Sequence, residues 1–262
     1  MKKLKVWGKS NYIHNVWATG ENKSHKSKVL KWCPMDTEEL YQYNISNNKL
    51  LMEKLNWIDN DITYSFNEHG FRSDSFEEHC TILTNGCSQT MGIGLPLEDM
   101  WSKQIAENYN TNYHNLAVAG SDFQHLAQRS AYWLPIIKPK IYILKEPPAD
   151  RFNFWNDENF EVSTAHYTEK ELLKQRTLVD IVSNEANTEW YRYSALTLIE
   201  NLCKQLDIKL IVIPTTRIHP NNSQSETDLA RDLEHHGRIE NRYTTEWIIN
   251  KMKEEGYENF IN

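Results

Sequence analysis

The rhythm of apolar and polar positions changes near residue 79. Before it the chain is polar and rich in lysine and asparagine, with patterned pieces only a few residues long. Residues 36–44 read as the start of a helix, with Asp36 as N-cap and Glu39 at the capping-box position. A second short helix is predicted over 50–55, and the alternation over 62–66 predicts a strand. Turn chemistry follows at Asn67 and Gly70. From about 79 onward, short apolar runs alternate with helical spacing. Ile82 and Leu83 mark a buried strand that runs into a glycine-rich turn. Further strands are predicted over 115–118, 140–144 and 208–213. Leu97, Trp101 and Ile105 recur every four residues, as one face of a helix does. Phe123, Leu126, Ala127, Ser130, Ala131 and Leu134 trace the inner face of another helix, capped by Ser121 or Asp122. A long helical region covers about 168–207, with a break near 184–187, and a terminal helix covers about 241–254.

Strands alternating with helices over short connections predict an α/β fold, a parallel sheet with helices on both faces. The division expected is an extension over 1–78, packed on a main domain of 79–262. There are no internal repeats and no low-complexity tract. In such sheets ligands bind beyond the carboxyl ends of the strands.

Composition narrows the function classes. A hydrophobic content of 39% in 262 residues is enough for one large core, though the mean hydropathy of −0.70 is on the polar side. Nine tryptophans and thirteen tyrosines suit packing first and stacking on sugar rings second. The net charge of −7 gives no general attraction to nucleic acid phosphates, so no nucleic-acid partner is expected. Cys33, Cys80, Cys87 and Cys203 are scattered without C-x-x-C spacing, which predicts neither a metal site nor a disulfide framework. The basic start (Met1 to Gly8) is not followed by an apolar run, and no segment approaches the ~18 apolar residues of a membrane span. A cytoplasmic protein without a membrane span is the default expectation, with assembly into a larger particle left open.

The chemistry concentrates in the turn after the first buried strand, Thr84-Asn85-Gly86-Cys87-Ser88-Gln89-Thr90-Met91-Gly92. Gly86 and Gly92 let the backbone turn sharply and expose peptide N–H groups near Ser88. A nucleophilic hydroxyl needs such a place, beside donors that hold an oxyanion. An ordinary strand-to-helix loop has the same composition. A serine also needs a base, usually an imidazole oriented by a carboxylate. Of the ten histidines, His69, His79, His125 and His166 read as ordinary. His235 stands three residues after Asp232, close enough for one turn to bring the carboxylate onto the ring. His236 is a competing base, and Cys87 an alternative nucleophile whose plainer role is a small buried hydrophobe. A solvated charged turn is the competing reading of the Asp232–His235 stretch.

Three blocks in order, Gly86-Cys87-Ser88-Gln89-Thr90-Met91-Gly92, Asn115-Leu116-Ala117-Val118-Ala119-Gly120 and Asp232-x-x-His235-x-Gly237, resemble the SGNH (GDSL-type) hydrolase superfamily over about residues 80–255. The resemblance implies a flavodoxin-like three-layer α/β/α sandwich. It implies Ser88 as nucleophile, His235 as base and Asp232 as the partner of His235. The backbone N–H groups of Ser88 and Gly120 would then form the oxyanion hole. It further implies a serine esterase or acylhydrolase, with O-acetylated carbohydrate as one substrate class and no metal or organic cofactor. Two positions depart from the pattern. Cys87 stands where the family usually has aspartate, and the strand over 140–144 is followed by Lys145-Glu146-Pro147-Pro148, with no asparagine before Asn153. Arg151 or Asn153 is the expected substitute donor. A fold retained as a binding or structural module is the alternative.

Overall fold

The computed structural model describes residues 20–76, 79–149, 151, 153–155, 161–163, 184–215 and 228–261. Its elements in chain order begin with β1 (Val29–Leu30), α1 (Glu38–Asn47), α2 (Lys49–Lys54), β2 (Tyr64–Ser65), β3 (Ile82–Asn85), α3 (Ser88–Met91) and α4 (Trp101–Asn108). They continue with β4 (Tyr113–Asn115), α5 (Phe123–Ile137), β5 (Ile141–Lys145), β6 (Asn153–Trp155), β7 (Glu161–Ser163), α6 (Glu185–Gln205), β8 (Lys209–Ile213) and α7 (Arg238–Glu254).

All four residues of β3 and all five of β5 are buried, as strands covered on both faces must be. They sit at the centre of a sheet in the order β4-β3-β5-β8, every pair parallel. Ile82 faces Tyr113 on one side and Ile141 on the other, while Lys145 faces Ile213. Side chains alternate between two cores. Leu83, Tyr142 and Leu144 pack with Leu126, Trp133, Leu134 and Ile137 of α5 and with Ile199 and Cys203 of α6. Ile82, Ile141, Ile143, Ile211 and Ile213 pack with Trp101 and Ile105 of α4 and Ile248 and Met252 of α7. The result is the expected three-layer α/β/α sandwich. Its chain runs from β3 outward to β4, then crosses back over to β5, so the order reverses between β3 and β5. With right-handed crossovers, that reversal sends α4 to one face and α5 and α6 to the other. The crevice it opens, beyond the carboxyl ends of β3 and β5, is where such folds take ligands.

Several expectations shift. Leu97 is not on α4: it lies in a separate 3₁₀ turn (Leu97–Asp99) and is 41% exposed, because Pro96 fixes the start of that turn and Met100 is extended. On α5, Ala131 faces solvent, while Arg129 and Trp133 are buried. The cap of α5 is Asp122, whose Oδ1 accepts the His125 N–H at 2.9 Å. Asp36 is not the cap of α1. Thr37 is, its Oγ1 accepting the Leu40 N–H at 3.2 Å, and Asp36 is buried elsewhere. The strand expected over 62–66 is only the two-residue β2, paired antiparallel with β1. The long helix is described from Asn184, its N-cap, onward, and 168–183 lie outside the described residues. No helix among the described residues is long and apolar enough to cross a membrane.

Residues 20–76 are not separate from the rest. Cys33, Met52, Trp57, Ile62, Tyr64 and Phe66 share one buried cluster with Met91, Ile93, Leu95, Met100, Ala117 and Ala230.

Candidate active site

Strand β3 ends at Asn85, and Ser88 opens α3 two residues after Gly86. Cys87, in extended conformation, is the N-cap, so the Ser88 N–H points out of a first helical turn that has no partner for it. The turn is built tightly. A side chain at Gly86 would meet Thr90 Oγ1 at 2.1 Å, and Gly92 closes α3 in the left-handed region at φ +74°. Two buried guanidiniums hold it. Arg129 donates to Asn85 Oδ1 (3.1 Å), the Gly86 carbonyl (3.2 Å) and Ser121 Oγ (2.9 Å). Arg72 donates to the carbonyls of Thr63, Met91, Gly92 and Leu95, the Gly92 bond being 2.6 Å, and lies over the Tyr64 ring. Asn85 also donates to Tyr142 Oη (2.8 Å) and accepts from Gly86 N (2.9 Å). Ser88 is 6% exposed. Cys87 is buried too, and none of the four cysteines is disulfide-bonded.

Asp232 and His235 are joined directly. Asp232 Oδ1 accepts the N–H groups of Glu234 and His235, each at 3.1 Å, and Oδ2 is hydrogen-bonded to His235 Nδ1. The three-residue spacing gives that result because Leu233 takes a left-handed conformation (φ +58°), folding the chain back on itself. Fixing Nδ1 on a carboxylate leaves Nε2 as the basic nitrogen. His236 turns instead to Gln89, with the two Nε2 atoms 3.4 Å apart. That contact and the Arg231 N–H donated to the Gly94 carbonyl (3.0 Å) lay the dyad's loop against the Ser88 turn.

Gly120 follows β4 at φ +78°. Its loop is tied to the serine turn by Val118 N–H to the Gly86 carbonyl (3.4 Å), and Ser121 Oγ donates to the Val118 carbonyl (2.6 Å). After β5 the carboxylate of Glu146 is taken by Arg192 of α6 through Nε (3.1 Å) and Nη2 (2.8 Å). Arg151 reaches this edge of the crevice, Nη1 lying 3.4 Å from the Ser121 carbonyl. The backbone of Asn153 belongs to β6. Lys145, at the end of β5, is buried, and burial pulls its amine below the ordinary lysine range, with Cys87 and Glu240 opposing that shift.

The sequence gives no sign of Arg72 or Arg129, whose partners are oxygen atoms at other points along the chain. His125 is another matter. Its place in a helix reads as ordinary, yet it is buried with Nδ1 2.7 Å from Asp122 Oδ1. The Asp-x-x-His spacing that singles out His235 is present there too. His69 pairs with Glu21 (2.7 Å), and His166 lies outside the described residues. No group of three or more His, Cys, Asp or Glu side chains among the described residues is arranged to hold a metal ion.

No family model matches the chain, and no curated protein matches it. Solved structures do. The psychrotrophic esterase EstA from Pseudoalteromonas sp. is 15% identical over 67% of this chain and 98% of its own, with a TM-score of 0.37. The acetyl xylan esterase Est2A from the rumen bacterium Butyrivibrio proteoclasticus is 10% identical over 71% and 66%, with a TM-score of 0.38. The acetyl xylan esterase AlAXEase is 16% identical over 65% and 98%, with a TM-score of 0.37. The chain is thus similar to esterase structures in outline only, and its chemistry has to be read from its own residues.

Proposed function

We propose that the chain is a serine ester hydrolase of the SGNH type, with Ser88 as nucleophile, His235 as base and Asp232 as its orienting carboxylate. Ser88 Oγ attacks the ester carbonyl while His235 Nε2 takes its proton, and Asp232 stabilises the imidazolium. The N–H groups of Ser88 and Gly120 receive the oxyanion, which is where such catalysis gains most. Collapse expels the alcohol, protonated by His235. Water, deprotonated by His235, then attacks the acyl-enzyme, and expulsion of Ser88 Oγ, reprotonated by His235, releases the acid. The observation that supports this reading best is the buried Asp232–His235 pair, whose loop meets the segment that carries Ser88 through Arg231 N–H to the Gly94 carbonyl and His236 to Gln89. Small acyl esters, O-acetylated sugars among them, are the first substrates to test.

One observation favours a second reading, a binding module with little turnover. The segment after β5 presents Glu146, held by Arg192, where the resemblance expects an asparagine donor. Loss of one oxyanion donor typically costs about 10²–10³ in rate. Hydrolysis of p-nitrophenyl acetate by the wild type and by Ser88→Ala separates the readings. The hydrolase shows turnover that vanishes in the variant and labels with a fluorophosphonate at Ser88. Equal rates in both proteins and no label leave the binding module.

A further inference from the structure

The loop that carries Asp232 and His235 is gripped from one side by residues 20–76. Trp57 Nε1 donates to the Leu229 carbonyl at 2.8 Å, and Asn44 Nδ2 to the Asp232 carbonyl at 3.2 Å. Arg238 Nη1 donates to the Leu55 carbonyl at 3.1 Å, its guanidinium lying 3.8 Å from the Trp57 ring centre. The strongest hold is on Arg231. Its Nε and Nη2 donate to the two carboxylate oxygens of Asp36 at 3.0 and 2.6 Å, and Nη1 and Nη2 donate to the carbonyls of Asn60 and Lys31. Trp32 and Tyr41 lie 4.4 and 5.4 Å from the same guanidinium. Asp36, Asn44 and Arg231 are all at least 97% buried. Tyr64 closes the circuit. Its hydroxyl donates to Asp36 and accepts from Gly94 N–H (2.8 Å), while the Gly94 carbonyl accepts from Arg231 N–H.

A chain of hydrogen bonds therefore runs from the serine turn, through the N-terminal segment, to the residue next to Asp232. A bidentate guanidinium–carboxylate pair fixes direction as well as distance. Reacting groups displaced by about 1 Å can lose on the order of 10²-fold in rate. We propose that residues 20–76 are the positioning element of the dyad, with the Asp36–Arg231 pair as the anchor that sets where His235 stands relative to Ser88. This rests on the reading of Ser88, His235 and Asp232 given above. Asp36 and Arg231 act through His235 and touch no substrate.

The test is the double variant Asp36→Asn/Arg231→Met in the full chain, which removes the anchor without stranding a buried charge. With p-nitrophenyl acetate, kcat falls by about 10²-fold while KM changes by less than about twofold. In a His235→Ala background the same two substitutions cause no further loss. In the proton NMR spectrum the downfield resonance of the His235 Nδ1 proton broadens or moves. An unchanged kcat overturns the proposal, and so does an equal loss in both backgrounds, or an unmoved resonance in a folded double variant. If the double variant does not fold, Asn44→Ala, which releases only the Asp232 carbonyl, is read by the same three measurements. Should the wild type show no Ser88-dependent turnover, the hydrolase reading fails, while the resonance still decides the anchor.

Discussion

A methyl group at Gly94 would stand 2.8 Å from the Ala230 side chain and 3.0 Å from the Arg231 nitrogen, on a backbone at φ +72°. The serine turn and the dyad's loop approach that closely only because no side chain lies between them. Gly94→Ala combines the strain of a left-handed residue with a clash and destabilises by about 1–3 kcal/mol. Urea unfolding measures the loss, and kcat falls with it because the loops are pushed apart. At this scale the sequence is readable where chemistry is local. Asp232 and His235 are three residues apart, and Ser88 sits among glycines. It is silent on Arg72 and Arg129, because nothing near either residue announces the oxygen acceptors it serves. It misleads at Asp36, where an acidic residue ahead of Glu38 and Glu39 fits a capping pattern and is in fact the partner of a residue far along the chain.

Helix α1 turns that misreading into a measurement. If Thr37 is the cap, Thr37→Ala costs about 1 kcal/mol. Asp36→Ala instead leaves the Arg231 guanidinium buried without its carboxylate, a loss of about 3–5 kcal/mol. Equal costs in thermal or urea unfolding would restore Asp36 to the cap. Other elements show where periodicity succeeds. Strands β5 and β8 lie within one residue of expectation, because each is a nearly continuous apolar run. The inner face of α5 is less legible. Arg129 and Trp133 break a pattern drawn from small and aliphatic residues, since the helix must bury the serine turn's cation as well as a core. Strand β4 begins and ends earlier than expected, at Tyr113 and Asn115, with the Leu116 N–H still bonded to the Thr84 carbonyl of β3.

For the molecule as a whole, the cluster shared by residues 33–66 and 91–230 sets the cost of removing the N-terminal segment. A chain of 79–262 exposes Met91, Ile93, Leu95, Met100 and Ala230 to water and loses cooperative unfolding, seen as a broad thermal transition by circular dichroism. A sharp transition with altered acyl preference would make the segment a lid instead. Stability also depends on alkaline pH. Burial pushes the thiols of Cys33, Cys80 and Cys203 up to about 12 from an ordinary 9.0. Their folded values are raised, so the stability they contribute is complete below 9.0 and is lost as pH rises toward 12. Lys145, lowered by burial, works the other way, gaining as pH rises toward the ordinary lysine value. The net fall of the urea midpoint above pH 9.0 becomes shallower in Cys80→Ala.

Asp36 and Arg231 are 195 positions apart, and a ribosome makes the first long before the second. A growing chain therefore carries Ser88 well before it carries His235, and it holds Asp36 without the guanidinium of Arg231 until that residue has emerged. Any product that stops short of Arg231 lacks the Asp232–His235 pair and leaves Asp36 without the guanidinium that pairs with it in the whole chain. On the proposed reading of Ser88 and His235, such a fragment is expected to be inactive as well as poorly folded.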